Sequence, residues 1–154
     1  DGYWSRGLGD VYKRQAINSK LKSWRISEKG RLAEIIVIDQ FSRNLFRDKP
    51  DAYYYDRLAI FLSKELIHLK LHQKLNKNEK IFTFMPFMHS EIIEDQIISL
   101  SLYSNLGIKE NFRSALKHFN IIRKFGRFPH RNKILNRKST EEELAFLTTQ
   151  GSSF

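Results

Sequence analysis

The sequence predicts an all-α protein, a single domain of stacked antiparallel helical hairpins. Three observations predict it. Apolar residues recur at spacings of three and four through most of the chain. Capping residues and helix-ending glycines punctuate it at short intervals. No segment keeps the strict alternation of a half-buried strand. At 154 residues the length suits one domain, with about two thirds of the unfolded chain's surface buried on folding.

The first fifteen residues, DGYWSRGLGDVYKRQ, stand apart. They are glycine-rich, lack a helical period, and break sharply in composition at Ala16. GDVYKRQ reads like translated sequencing-adapter sequence, so residues 1–15 are expected to be a non-native or disordered tail and residues 16–154 the helical domain. Deleting the tail should leave the melting temperature unchanged, and a loss of several degrees would refute this.

A short helix is expected over 16–24. Ser27 then caps a long helix carrying Leu32, Ile35, Ile36, Val37, Ile38 and Phe41 and running to residue 46. It is apolar almost all round, as a central helix should be. Residues 48–50 form a turn. Asp56 is placed to cap the next helix, whose Leu58, Ile60, Phe61, Leu62, Leu66, Ile67 and Leu69 face the core. After a break at 76–78, a short helical piece through residue 84 is expected to stop at Pro86.

Ser90 opens a helix to residue 106, with Ile93, Ile97 and Leu100 on one face and Gly107 at its end. Residues 109–125 repeat this pattern and end at Gly126. Ser139 and Glu142, in STEE, form a capping-box signature for a short helix through 148. Four principal helices with short links argue for antiparallel neighbours. No sequence repeat is visible.

Composition removes several function classes. With no cysteine, disulfides and thiolate metal sites are excluded. No apolar run approaches the roughly 20 residues that span a bilayer, and the N-terminus lacks the order of a secretory signal. No membrane association is expected, and the cytoplasm is the expected location. The net charge of +10 suggests nucleic acid, but Lys-, Ile- and Asn-rich composition also follows from an AT-rich genome. Only residues 123–138 concentrate the charge, and no base-reading or stacking motif accompanies it. Nucleic acid is not an expected partner.

Three polar clusters interrupt apolar surroundings. In DQFSRN (39–44), Asp39 and Arg43 share a helical face at i,i+4 and can pair, as can Gln40 and Asn44 on the adjacent face. Charged residues are seldom buried unless paired or used. An ion pair near a helix end is the plain alternative. In PFMHSEIIEDQ (86–96), His89, Ser90, Glu91 and Asp95 gather at a helix mouth, where capping and dipole effects explain much of the polarity. Convergence of His89, Glu91 and Asp95 would suit a metal, but the spacing matches no ligand pattern and neither metal nor cofactor is expected.

In KFGRFPHRN (124–132), Gly126 and Pro129 end a helix and stiffen a turn. Arg127, His130, Arg131 and Asn132 are then held where they can present donors to a carboxylate or phosphate. Arginines binding helix C-terminal carbonyls are the structural alternative. His130 and His89 are the candidate general acids or bases. No nucleophile elbow, phosphate loop or zinc-protease helix is present.

DQFSRN, PFMHSE with its following DQ, KFGRFPHRN and the closing GSSF, in that order, resemble the bacterial domain-of-unknown-function 924 family from about Leu21 to Phe154. The resemblance implies an all-helical, tetratricopeptide-like fold and no particular reaction. Two departures stand out. Ser42 occupies the place of a usual proline, and the family's aromatic-flanked tryptophan segment near the start is not found, so the family's N-terminal segment is expected to be missing. In such a fold, Asp39, Arg43, Asn44, His89, Glu91, Arg127, His130, Arg131 and Asn132 are expected to line one polar pocket. A small anionic ligand or a peptide carboxylate is the expected occupant. The rivals are an enzyme using His130 or His89 with an arginine on an anionic substrate, and a buried polar network that only fixes helix register.

Overall fold

The computed structural model describes residues 21–153. The expected tail at 1–15, and most of the short helix expected over 16–24, lie outside the described residues. Trp24 falls in a 3-10 turn, Lys22–Ile26.

Six helices follow among the described residues, with no strand. The first, α1, is composite: Glu28–Ile36 is α-helical, Val37–Phe41 is π-helical, and Ser42–Leu45 is α-helical again. Ser27 caps it as its sequence position requires, its hydroxyl accepting the Gly30 N–H at 3.0 Å. The remaining helices are α2 (Asp56–His68), α3 (Lys77–His89), α4 (Ile93–Leu106), α5 (Lys109–Phe125) and α6 (Glu141–Leu147). Links of a few residues between α3, α4 and α5 make these neighbours antiparallel. α3 packs on α4 and α5, and reaches back to α1 and α2. The all-helical class is plain, while the tetratricopeptide-like label gains no independent support from this packing.

The core falls in three linked parts. Leu32, Ile35, Val37 and Ile38 of α1 pack with Ala59, Leu62 and Leu66 of α2. Phe84 and Met88 of α3 pack with Tyr103 and Leu106 of α4 and Ala115 of α5. Ile121, Ile122 and Phe128 form the third part, joined by Phe125 and Phe146. Gly107 and Gly126 both take left-handed backbone, at φ +76° and +70°, and end α4 and α5 as the sequence predicts.

Several boundaries differ from expectation. Pro86 lies inside α3, which runs on to His89. A proline ring there costs one intrahelical hydrogen bond and some crowding, and burial of Phe84, Phe87 and Met88 around it outweighs that loss. The principal helices are therefore five rather than four. α4 begins at Ile93, not at Ser90. Ser90 accepts the Ile92 N–H at 3.2 Å and donates to Asp95 at 2.7 Å.

The capping box of α6 is Thr140 with Glu143, one residue beyond the expected pair. Phe61, Leu69 and Ile97 are 58%, 48% and 55% exposed, so they are not core residues. α2 and α4 each bury one side against their neighbours, which leaves these positions facing outward. Asp56 opens α2 but makes no side-chain cap. Its carboxylate is engaged elsewhere.

Candidate functional site

The π-helical turn of α1 carries Asp39, 1% exposed. One extra residue per turn is rare and recurs at functional sites. Asp39 Oδ1 lies 2.9 Å from Nδ1 of His89, the last residue of α3, and the Gln40 amide donates to Oδ2. Burial alone would raise the Asp39 carboxyl. The positive field of His89 and Arg43, with the hydrogen bonds from His89 and Gln40, outweighs it and holds the group at about 2.

Arg43, one turn on, stands 3.4 Å from Asp39 Oδ1, the i,i+4 pair the sequence predicts. Its principal partner comes from α2. Nη1 and Nη2 grip Asp56 Oδ1 and Oδ2 at 3.1 and 3.0 Å, and Nη1 also donates to the Ala52 carbonyl at 3.1 Å. Arg43 Nε lies 3.1 Å from His89 Nδ1. One ring nitrogen holds either a proton or a lone pair, so it can bond Asp39 or Arg43 but not both. The ionised carboxylate is the stronger acceptor and selects Nδ1–H, which leaves the lone pair on Nε2. Burial, then Arg43, lowers the His89 pKa against the pull of Asp39.

Arg131 comes from the 3-10 turn Pro129–Arg131 after α5. Its guanidinium is sandwiched between the rings of Tyr53 and Phe128, 4.5 Å from each centroid. Nη2 donates to the His89 carbonyl at 3.0 Å, Nη1 lies 3.5 Å from Asp56 Oδ2, and buried Nε has no hydrogen-bond partner. Burial and the neighbouring Arg43 bring this guanidinium down to about 10. His130, in the same turn, is lowered to about 4 by burial and Arg131. His118 of α5 sets Nδ1 2.7 Å from the Ser114 carbonyl and is pushed by burial to about 3. Its ring centroid is 6.4 Å from that of His89.

A cavity of 590 Å³ opens on this centre. Of the nine sequence candidates, Arg43, Asn44, His89, His130 and Arg131 line it, joined by Gln40, Arg47 and His118. Asp39 stands behind His89 and orients it. A second cavity of 360 Å³ shares Tyr53, His89 and Arg131 with the first.

Glu91, Arg127 and Asn132 do not line the larger cavity. They belong to a clamp that fixes the Gly126 turn. Arg137 grips Glu91 at 2.7 and 2.9 Å, bonds Asn132 Oδ1 at 3.0 Å, and donates to the Phe128 carbonyl at 3.2 Å. Glu91 also accepts the Phe128 N–H at 2.8 Å. Arg127 grips Glu143 at 2.7 and 2.8 Å, and Asn132 donates to Ser139 and Glu143 at 3.0 and 3.2 Å. Glu91 also lines the smaller cavity, while for Arg127 and Asn132 the arrangement is that of a register-fixing network rather than a ligand wall. His89, Glu91 and Asp95 do not converge, since Asp95 pairs with Lys64 at 2.6 Å and Glu91 with Arg137. Among the described residues no group of three or more His, Asp or Glu is arranged to hold a metal ion.

Sequence reasoning missed Asp56, Tyr53, His118, Arg137 and Glu143. Asp56 looked like a helix cap. His118 carried a usable signal, because it lies at i+3 from Ala115 and i−3 and i−4 from Ile121 and Ile122, on the buried stripe of α5. The others are set by long-range pairing and leave no local mark.

No helix among the described residues is long and apolar enough to cross a membrane. No curated protein matches the chain. A solved structure, that of the protein of unknown function ATU0120 from Agrobacterium tumefaciens, is 35% identical with a TM-score of 0.85, covering 90% of this chain and 78% of that one. The family described as "Bacterial protein of unknown function (DUF924)" matches residues 5–151. The chain therefore belongs to the DUF924 family of bacterial proteins of unknown function.

Proposed function

We propose that this protein is a cytoplasmic binder of a small anionic ligand or a peptide carboxylate, held in the 590 Å³ cavity. One observation carries the reading: Arg131 is a buried cation short of anionic partners. Its nearest carboxylate oxygen is 3.5 Å away and already bonded to Arg43 at 3.0 Å, and its Nε is unpaired. Buried guanidinium groups are costly unless compensated, and an anion entering the cavity supplies the missing charge in the planar, forked geometry arginine favours. Asn44, Gln40 and Arg47 add donors around it.

Thermal-shift titration with inorganic phosphate and with acetate tests this. A ligand at 100 times its Kd should stabilise the fold by about 2.7 kcal/mol. Arg131→Met, which keeps much of the stacking bulk, should weaken binding by about tenfold or more. Equal shifts in wild type and Arg131→Met would sink the reading.

A second reading, an enzyme acting on an anionic substrate, is favoured by the Asp39–His89 pair at 2.9 Å. A buried carboxylate on Nδ1 orients an imidazole as a general base through Nε2, and Arg131 would stabilise developing negative charge. The same observation favours His89 over His130 as the base. Nitrogen-15 NMR of the wild-type imidazoles should find His89 in its Nδ1–H tautomer at pH 7. A predominant Nε2–H form would remove the base.

A further inference from the structure

The two cavities share a wall. Tyr53, His89 and Arg131 line both, so the guanidinium that the larger cavity offers to an anion also borders the smaller one. The chemistry on the two sides differs. The larger cavity is rich in arginine, histidine and amide groups. The smaller carries Asp56, Arg57 and Glu91 on its lining, but also an apolar wall of Tyr53, Tyr54, Ile60, Ile92 and Leu135. Tyr54 and Ile92 are 74% and 49% exposed, so much of this apolar wall faces solvent at the edge of the polar site. Each cavity falls within the range of about 300–1,000 Å³ typical of small-molecule sites.

We propose that the ligand is amphipathic: a phosphate or carboxylate seated at Arg131 and Arg43, carrying an aromatic or apolar body that lies against Tyr53 and Tyr54 in the smaller cavity. This rests on the anion-binding reading above and names the ligand class for it. Arg131 sets the geometry of the junction. Its guanidinium carbon lies 4.5 Å from the Tyr53 ring centroid, and both residues border both cavities, so an anion held at Arg131 has Tyr53 and the apolar wall of the smaller cavity beside it. Aromatic bodies suit this wall best, since two tyrosines line it and aromatic rings pair favourably with one another.

Calorimetric titration of the full chain with matched probes tests the inference: inorganic phosphate against phenyl phosphate, and acetate against phenylacetate. Burying part of a ring's apolar surface should make the aryl member of each pair bind at least about tenfold more tightly. In the double variant Tyr54→Ser/Ile92→Ser, both positions solvent-exposed, that advantage should disappear while the affinity for inorganic phosphate is unchanged. Leu135→Ala provides an independent third position should the double variant fold poorly.

If the simple anions bind and the aryl members gain nothing, the amphipathic ligand is refuted while anion binding stands. If no probe binds, both fall. An aryl advantage that survives in the double variant and in Leu135→Ala places the apolar body elsewhere and overturns the inference.

Discussion

The cavity centre and the clamp are built from the same groups, within a few residues of each other in sequence, and they balance their charges differently. In the clamp each guanidinium has a carboxylate of its own: Arg137 grips both oxygens of Glu91, and Arg127 both oxygens of Glu143. At the cavity two guanidiniums compete for Asp56. Arg43 takes both oxygens, Arg131 is left at 3.5 Å, and burial lowers the pKa of the three imidazoles beside them. A satisfied network stabilises a turn and is closed to ligands. An under-compensated one costs stability and gains it back when an anion arrives. Arg127 and Arg131, four residues apart in one turn, illustrate both outcomes.

The contrast can be broken from either side. The largest effect is expected at the clamp. Arg137→Ala leaves Glu91 without its cation and Asn132 without a donor, and should cost about 2–3 kcal/mol. That corresponds to roughly 5–10 °C in melting temperature for a chain of this size. Anion binding, measured at a temperature where the variant is folded, should be nearly unchanged. A variant as stable as wild type would show that the clamp does not hold the turn.

Acid acts on the other side, because His89, His118 and His130 line the cavity and the clamp contains no histidine. Burial pushes His118 down to about 3, so the folded protein keeps it neutral while the unfolded chain protonates it near the ordinary 6.5. A depressed folded pKa on a base means stability falls as pH drops below about 6.5, and the fall is complete near the folded value. Between pH 7 and pH 5, His118 alone should cost about 2 kcal/mol. His118→Leu should flatten that part of the stability curve in denaturant titrations. The clamp carboxylates stay ionised there, since Arg127 and the Thr140 backbone hold Glu143 at about 2. A wild-type curve that is flat from pH 7 to 5 would contradict the burial assigned to His118.

The smallest effect calibrates the others. Lys124 and Glu142 pair at 2.9 Å, but both side chains are more than half exposed. Lys124→Ala should change stability by less than about 0.5 kcal/mol. A larger loss would mean that exposed pairs matter here as much as the clamp.

How much was legible depended on the range of the interaction. The helical class, the Ser27 cap, the stops at Gly107 and Gly126, and the Asp39–Arg43 pair were readable because each is local, set within about one turn of chain. The course of α3 through Pro86 was not readable. The local rule there is a stop signal, and burial of neighbouring side chains overrides it.

That several polar candidates gather at one cavity was readable, since polar residues stand out against apolar surroundings. Their division was not. From sequence, Arg127 and Arg131 are equivalent cations in one basic turn. Glu143, sixteen residues beyond Arg127, pairs with the first. Asp56, seventy-five residues before Arg131 and already bonded to Arg43, is too far to satisfy the second. Sequence by itself determined which groups carry charge and which stretches become helices, because propensity and spacing act over a few residues. Tertiary structure alone decided which charge finds a partner, because pairing depends on distances that only the packed helices set.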